Sequence, residues 1–112
     1  MKKDPVIYLE HILDAMNAIL RFTNEMQAQA FYEDDLVQSA VIRKFEVIGE
    51  AAKRIPEEFK AVNPEIPWKQ MAGFRDVLIH NYDDLNMETI WETVDAYLPS
   101  AVKQIEKILN KL

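Results

Sequence analysis

Apolar residues recur at intervals of three and four along almost the whole chain, and only two glycines, Gly49 and Gly73, fall within it. That combination constrains the fold class more than any other feature. Spacing of this kind places apolar side chains on one face of a helix. A β-sandwich or barrel needs many more turn residues than two glycines and five prolines supply. The expected fold is therefore all-α: an up-and-down bundle of four to five helices, with residues 1–112 forming a single domain around one core.

The helices can be placed from their caps and stripes. Asp4 and Pro5 read as an N-cap and a first helical residue. From there Ile12, Met16, Ile19, Thr23, Met26 and Ala30 predict one helix over residues 4–30. A second helix starts at Asp34 or Asp35 and carries Val37, Val41, Phe45, Ile48, Ala52 and Ile55. Leu36, Ala40, Val47 and Ala51 widen that stripe. With the small residues Gly49, Ala51 and Ala52 they suggest close contact with more than one neighbour, a second chain included. Pro56 ends this helix or starts a short successor to about Val62, and Asn63–Pro67 is a turn. A third helix runs from about Pro67 to His80, and the polar stretch from Asn81 to Asn86 reads as its exit and a loop. Asn86 caps a fourth helix bearing Met87, Ile90, Trp91, Val94 and Leu98, which Pro99 kinks or restarts before Val102, Ile105, Ile108, Leu109 and Leu112.

Several function classes are excluded at this level. There is no cysteine, hence no disulfide framework, thiolate nucleophile or cysteine-based zinc site. The N-terminal stretch carries acidic residues within its apolar run and does not read as a signal peptide. No segment approaches the roughly 18–20 apolar residues of a membrane span. A cytoplasmic protein is the expectation. Nineteen acidic against thirteen basic residues give a net charge of −6. Such a chain does not coat nucleic acid through a general basic surface, so any RNA contact needs a local basic pocket or several chains together.

One stretch carries chemistry. Phe74–Tyr82 places Arg75, His80 and Tyr82 as R-x4-H-x-Y. Metal-free RNA cleavage requires a base for the ribose 2′-OH, an acid for the leaving oxygen, and positive charge on the phosphoryl group. An imidazole such as that of His80 ordinarily titrates at about pH 6.5 and moves protons near neutrality. The Arg75 guanidinium stays charged and grips phosphate through a planar fork. Asp76, four residues before His80, shares its helix face and can orient it. Arg75 and His80, five apart, differ by about 140° around a helix axis. A second copy of the chain can complete a site that one helix cannot.

The segments IGEAAKRIP, PEIPW, FRDVLIHNYDDLN and IWETVDAYLP occur in this order. Together they closely resemble the HepT-like branch of the HEPN superfamily, from about Val41 to the C-terminus, with the first helix fitting by pattern only. The resemblance implies a small helical domain that forms a homodimer, with the motif Arg75 and His80 of two protomers facing one cleft. It implies a metal-independent endoribonuclease that needs no cofactor. Such proteins are toxins of HEPN/MNT (type VII) toxin–antitoxin modules, partnered by an MntA-like nucleotidyltransferase. That antitoxin transfers AMP units to the motif tyrosine, here Tyr82. The alternative is a noncatalytic HEPN subunit that binds a nucleotide or the nucleotidyltransferase.

Other candidates are weaker. Glu46 and Glu50 are four apart, as a metal-ligand pair can be, but no second set with ligand spacing accompanies them. A solvated or ion-paired face is the expectation. Glu50 can instead support Arg75, and Arg43 can add a phosphate contact. His11 stands alone on the first helix and receives no role.

Overall fold

The structure, a computed structural model, describes residues 4–80 and 85–112, with His80 described through its backbone alone. Among these residues there is no strand, and the chain is an all-α bundle. Helix α1 spans Pro5–Phe22, with the Asp4 carboxylate accepting the Val6 N–H at 2.9 Å. Leu9, Ile12, Met16 and Ile19 are buried along it. The helix does not continue to Ala30 as the periodicity predicts. The Thr23 hydroxyl turns back to the Ile19 carbonyl, and Glu25 adopts a positive φ of 64°, which redirects the chain. A one-turn helix α2, Ala28–Tyr32, then delivers Phe31 into the core against Trp91, with ring centroids 5.3 Å apart. No glycine or proline marks this break, so periodicity alone runs through it.

Helix α3 spans Asp35–Arg54, and Asp34 caps it by accepting the Val37 N–H at 3.0 Å. Gln38 donates to the carbonyls of Phe31 and Tyr32 and so satisfies the end of α2. Val41, Phe45, Ile48 and Ala52 are buried, as the stripe predicts, whereas Leu36 is exposed. Pro56 is followed by the one-turn α4, Glu57–Ala61. The Trp68 indole N–H donates to the Asn63 carbonyl at 3.0 Å and pins the turn into α5, Trp68–His80.

Asn86 caps α6, Met87–Glu92, through the N–H groups of Glu88 and Thr89. A π-helical turn, Thr93–Tyr97, joins α6 to α7, Leu98–Asn110. Pro99 has no N–H to give the preceding turn, and the wider turn re-registers the backbone before the proline. The expected restart at Pro99 takes this form. Leu98, Ala101, Ile105 and Ile108 then stay buried.

Helix α3 lies between α1 and α5, and α7 packs on α1. The small residues of α3 serve this packing. Gly49, Ala51 and Ala52 are all buried within the chain itself, not on a free face. A Cβ on Gly49 would collide with the Cβ of Arg75 on α5 and stand 3.0 Å from the Met71 carbonyl oxygen. The two helices touch here almost backbone to backbone. Phe45 and Phe74 stack edge to face one turn away, 5.0 Å between centroids, and seal the same seam.

The two glycines should therefore respond in opposite ways. Gly49→Ala must push α5 off α3 and is expected to cost about 1–3 kcal/mol. Around Gly73 nothing lies within 4 Å of an added Cβ. Gly73→Ala should gain about 0.5–1 kcal/mol from helix propensity. Urea unfolding of the two variants beside the parent checks both signs.

Candidate functional site

The close approach at Gly49 determines where Arg75 goes. Its stem lies against α3, and its guanidinium emerges beside Glu50, the next residue along that helix. Arg75 Nε stands 3.2 Å from Glu50 Oε2, and its Nη1 lies 3.4 Å from Asp76 Oδ1. The other Glu50 oxygen accepts from Arg54 Nη2 at 3.0 Å and from its Nε at 3.2 Å. One carboxylate thus bridges two guanidinium groups, which is the ion-paired face expected for Glu50. Partly exposed pairs of this kind contribute little to stability. Their effect lies in orientation. Arg75 is 26% exposed, with its stem packed and its fork held in one direction.

Asp76 looks elsewhere. Lys53 Nζ is 2.7 Å from its Oδ1. The hydrogen bond from Lys53 holds the Asp76 carboxyl below its ordinary value, helped by the charges of Lys53 and Arg75 and opposed by partial desolvation. Asp76 is therefore anionic at neutral pH and already engaged by two cations. Its carboxylate opens on a groove with Lys53, Lys60 and Lys69, while Arg75 opens on a different one.

That second groove has a volume of 370 Å³ and lies between α1 and α3, with Arg75 reaching in from α5. Arg43, Glu46, Glu50 and Arg54 line it from α3, and Tyr8 and His11 from α1. Glu50 first, and the Tyr8 hydroxyl second, raise the pKa of Arg54 above its ordinary value. The structure brings together Arg43, Glu50 and Arg75, three of the residues singled out from sequence. It adds three that sequence reasoning left aside: Tyr8, His11 and Arg54. Arg43, Glu50 and Arg54 follow one stripe of α3 at steps of seven and four, a signal that could have found Arg54. Nothing in the spacing of α1 could have found His11. His80 ends α5 as expected. Tyr82 and most of the expected loop, residues 81–84, lie outside the described residues.

Among the described residues no helix is long and apolar enough to cross a membrane. The family model for HepT-like ribonucleases matches residues 12–108. A candidate RNase from Methanocaldococcus jannaschii is 46% identical over 111 residues, which is 99% of this chain and 92% of that protein. A protein from Thermococcus cleftensis named for the ribonuclease HepT is 44% identical, over 96% of this chain and 98% of its own length. A further candidate RNase, from Caldanaerobacter subterraneus, is 39% identical over 97% of each chain. No solved structure matches.

The Lys53–Asp76 pair has a definite pH signature. A carboxyl whose folded pKa is depressed stabilises the fold above its unfolded pKa, ordinarily about 3.9, and loses that contribution as pH falls through the folded value. Asp76→Asn should lower the melting temperature at neutral pH. The gap between parent and variant should close as the pH is taken below the ordinary aspartate range. Paired thermal melts at neutral and acid pH test this, and a gap that persisted in acid would remove Asp76 as its source.

Proposed function

Because the chain belongs to the HepT-like ribonuclease family, we propose that it is a metal-independent endoribonuclease with Arg75 and His80 as its catalytic residues. The observation that carries this reading is the fixing of Arg75. A partly exposed guanidinium is packed at its stem, held by Glu50 at its Nε, and aimed into a groove. Such a group is preorganised for the charge that builds on a phosphoryl group in the transition state.

In the reaction, the ribose 2′-oxygen attacks phosphorus and gives up its proton to a base. The 5′-oxygen departs and takes a proton from an acid. Arg75 stabilises the nonbridging oxygens between these events. His80 performs one proton transfer. The second falls to the partner subunit's His80 in a two-fold homodimer, which also answers the angular separation of Arg75 and His80 along α5. Val77 and Ile79, both exposed near the end of α5, leave apolar side chains that a second copy can cover. Glu50 is a positioning residue that acts through Arg75. Arg43, exposed and without an ion pair among the described residues, adds a phosphate contact. Asp76 supports Arg75 from its other side.

The biological setting in this reading is a cytoplasmic toxin–antitoxin module of the HEPN/MNT type. The partner is an MntA-like nucleotidyltransferase, which silences the toxin by placing AMP on Tyr82. The added bulk and negative phosphate would then compete with substrate phosphate for Arg75.

Purified His80→Ala and Arg75→Ala should each lose RNA cleavage by roughly 10²-fold or more while retaining helical content. Chelators should leave the parent's rate unchanged. Cleavage at the parent rate by His80→Ala would remove the site from the reaction. The modification is tested separately by intact mass after incubation with ATP, magnesium and the neighbouring nucleotidyltransferase. The parent should gain mass in steps of AMP and Tyr82→Phe should gain none. Increments persisting in Tyr82→Phe would place the modification elsewhere.

A further inference from the structure

The groove beside Arg75 is longer than one phosphate requires. Arg43 and Arg54 sit eleven residues apart on the same stripe of α3, roughly 16 Å at the helical rise. Arg75 enters between them, because it crosses α3 at Gly49 and pairs with Glu50. Helices α1 and α3 run in opposite directions, so Tyr8, near the start of α1, reaches Arg54 at the end of α3. His11 stands one turn further along α1, exposed, its ring edge-on to Tyr8 at 6.4 Å. The groove therefore has a cation at each end and one in the middle.

Charge singles out this groove. Three arginines face Glu46 and Glu50, a surplus of positive charge. The groove around Asp76 balances three lysines against three carboxylates. A third, over the side of α3 that carries Asp35 and Glu46, holds carboxylates and, among the described residues, no lysine or arginine. In a chain of net charge −6, a basic channel of this length fits a linear polyanion better than a single nucleotide.

We propose that the α1–α3 groove is an extended RNA-strand subsite in which Arg54 holds the strand beyond the phosphate at Arg75, on the side away from Arg43, and His11 flanks the strand from the α1 wall. This rests on the ribonuclease reading for the position of the cleaved bond. Arg54 offers a guanidinium held by Glu50 and Tyr8, with further N–H donors for a phosphate oxygen. His11 offers an exposed imidazole at the groove wall, suited to a phosphate or to stacking on an unpaired base. Neither touches the reacting atoms, so both should act on binding and not on the chemical step.

The test uses His11→Glu and Arg54→Ala in the full-length chain, with two single-stranded substrates. One is an oligoribonucleotide of about a dozen residues, long enough for such a channel, and the other is a dinucleotide containing the same cleaved step. Both variants should raise KM for the oligonucleotide roughly three- to tenfold with little change in kcat. The dinucleotide should be cut as by the parent. Arg54→Ala should also reduce the slope of log affinity against log salt by about 0.7, one phosphate contact on a single strand. That slope is read by fluorescence anisotropy on the oligonucleotide in a His80→Ala background, where no cleavage interferes. Equal losses on both substrates would mean that Arg54 acts through Glu50 on Arg75, and would overturn the subsite. Unchanged oligonucleotide affinity and salt slope would overturn it as well. If the parent cuts neither substrate yet binds the oligonucleotide with the expected sensitivity to both variants, the subsite stands and the nuclease reading fails.

Discussion

Helices α3 and α5 meet where Gly49 has no side chain and the Cβ of Arg75 occupies the space a methyl group would take. Much else follows from that contact. It brings α5 close enough for the Phe45–Phe74 edge-to-face pair to close the seam. It carries Arg75 across the axis of α3, so that a residue of α5 opens on a groove otherwise built from α1 and α3. It also makes Glu50 the nearest available carboxylate. The ion pairs that result are individually weak. The packing beneath them is what places Arg75, and the carboxylate only selects its direction.

The same contact separates two neighbours in sequence. Successive helical residues point about 100° apart. With Arg75 committed to the α3 groove, Asp76 is turned toward Lys53 and held there as an anion. An acidic chain thereby presents a cationic channel. Two of its carboxylates, Glu50 and Asp76, hold arginines and a lysine in place, and the arginines of one α3 stripe remain gathered along one wall. Net charge is a property of the whole composition, whereas a polyanion meets only the local field of the groove it enters. In the proposed subsite, the objection that a charge of −6 raises against RNA is answered at this scale.

Much of the fold was legible in the residues themselves. Spacings of three and four, two glycines, and caps at Asp4, Asp34 and Asn86 specify an all-α bundle, because helical hydrogen bonds and caps are local and the stripe needs only a face to bury. The break after Phe22 was not legible. It depends on a side-chain cap by Thr23 and a positive φ at Glu25, favoured because Phe31 then reaches the core. The small residues of α3 were legible as a close-packing face, but not as one covered from within the chain.

The candidate site divides along the same line. Arg75, His80 and Tyr82 stand out in the sequence because their types and spacing are chemical facts that need no fold. Their likeness to HepT-like ribonucleases is likewise carried by consecutive residues. That Glu50 holds Arg75, that Asp76 belongs to Lys53, and that His11 and Arg54 share a groove with both Arg43 and Arg75 could be decided only in three dimensions. These residues come from three helices and are up to 65 positions apart, from His11 to Asp76. Periodicity reports which face of a helix is buried, but neither which neighbour covers it nor at what register, and the register here is decided by a missing side chain at Gly49.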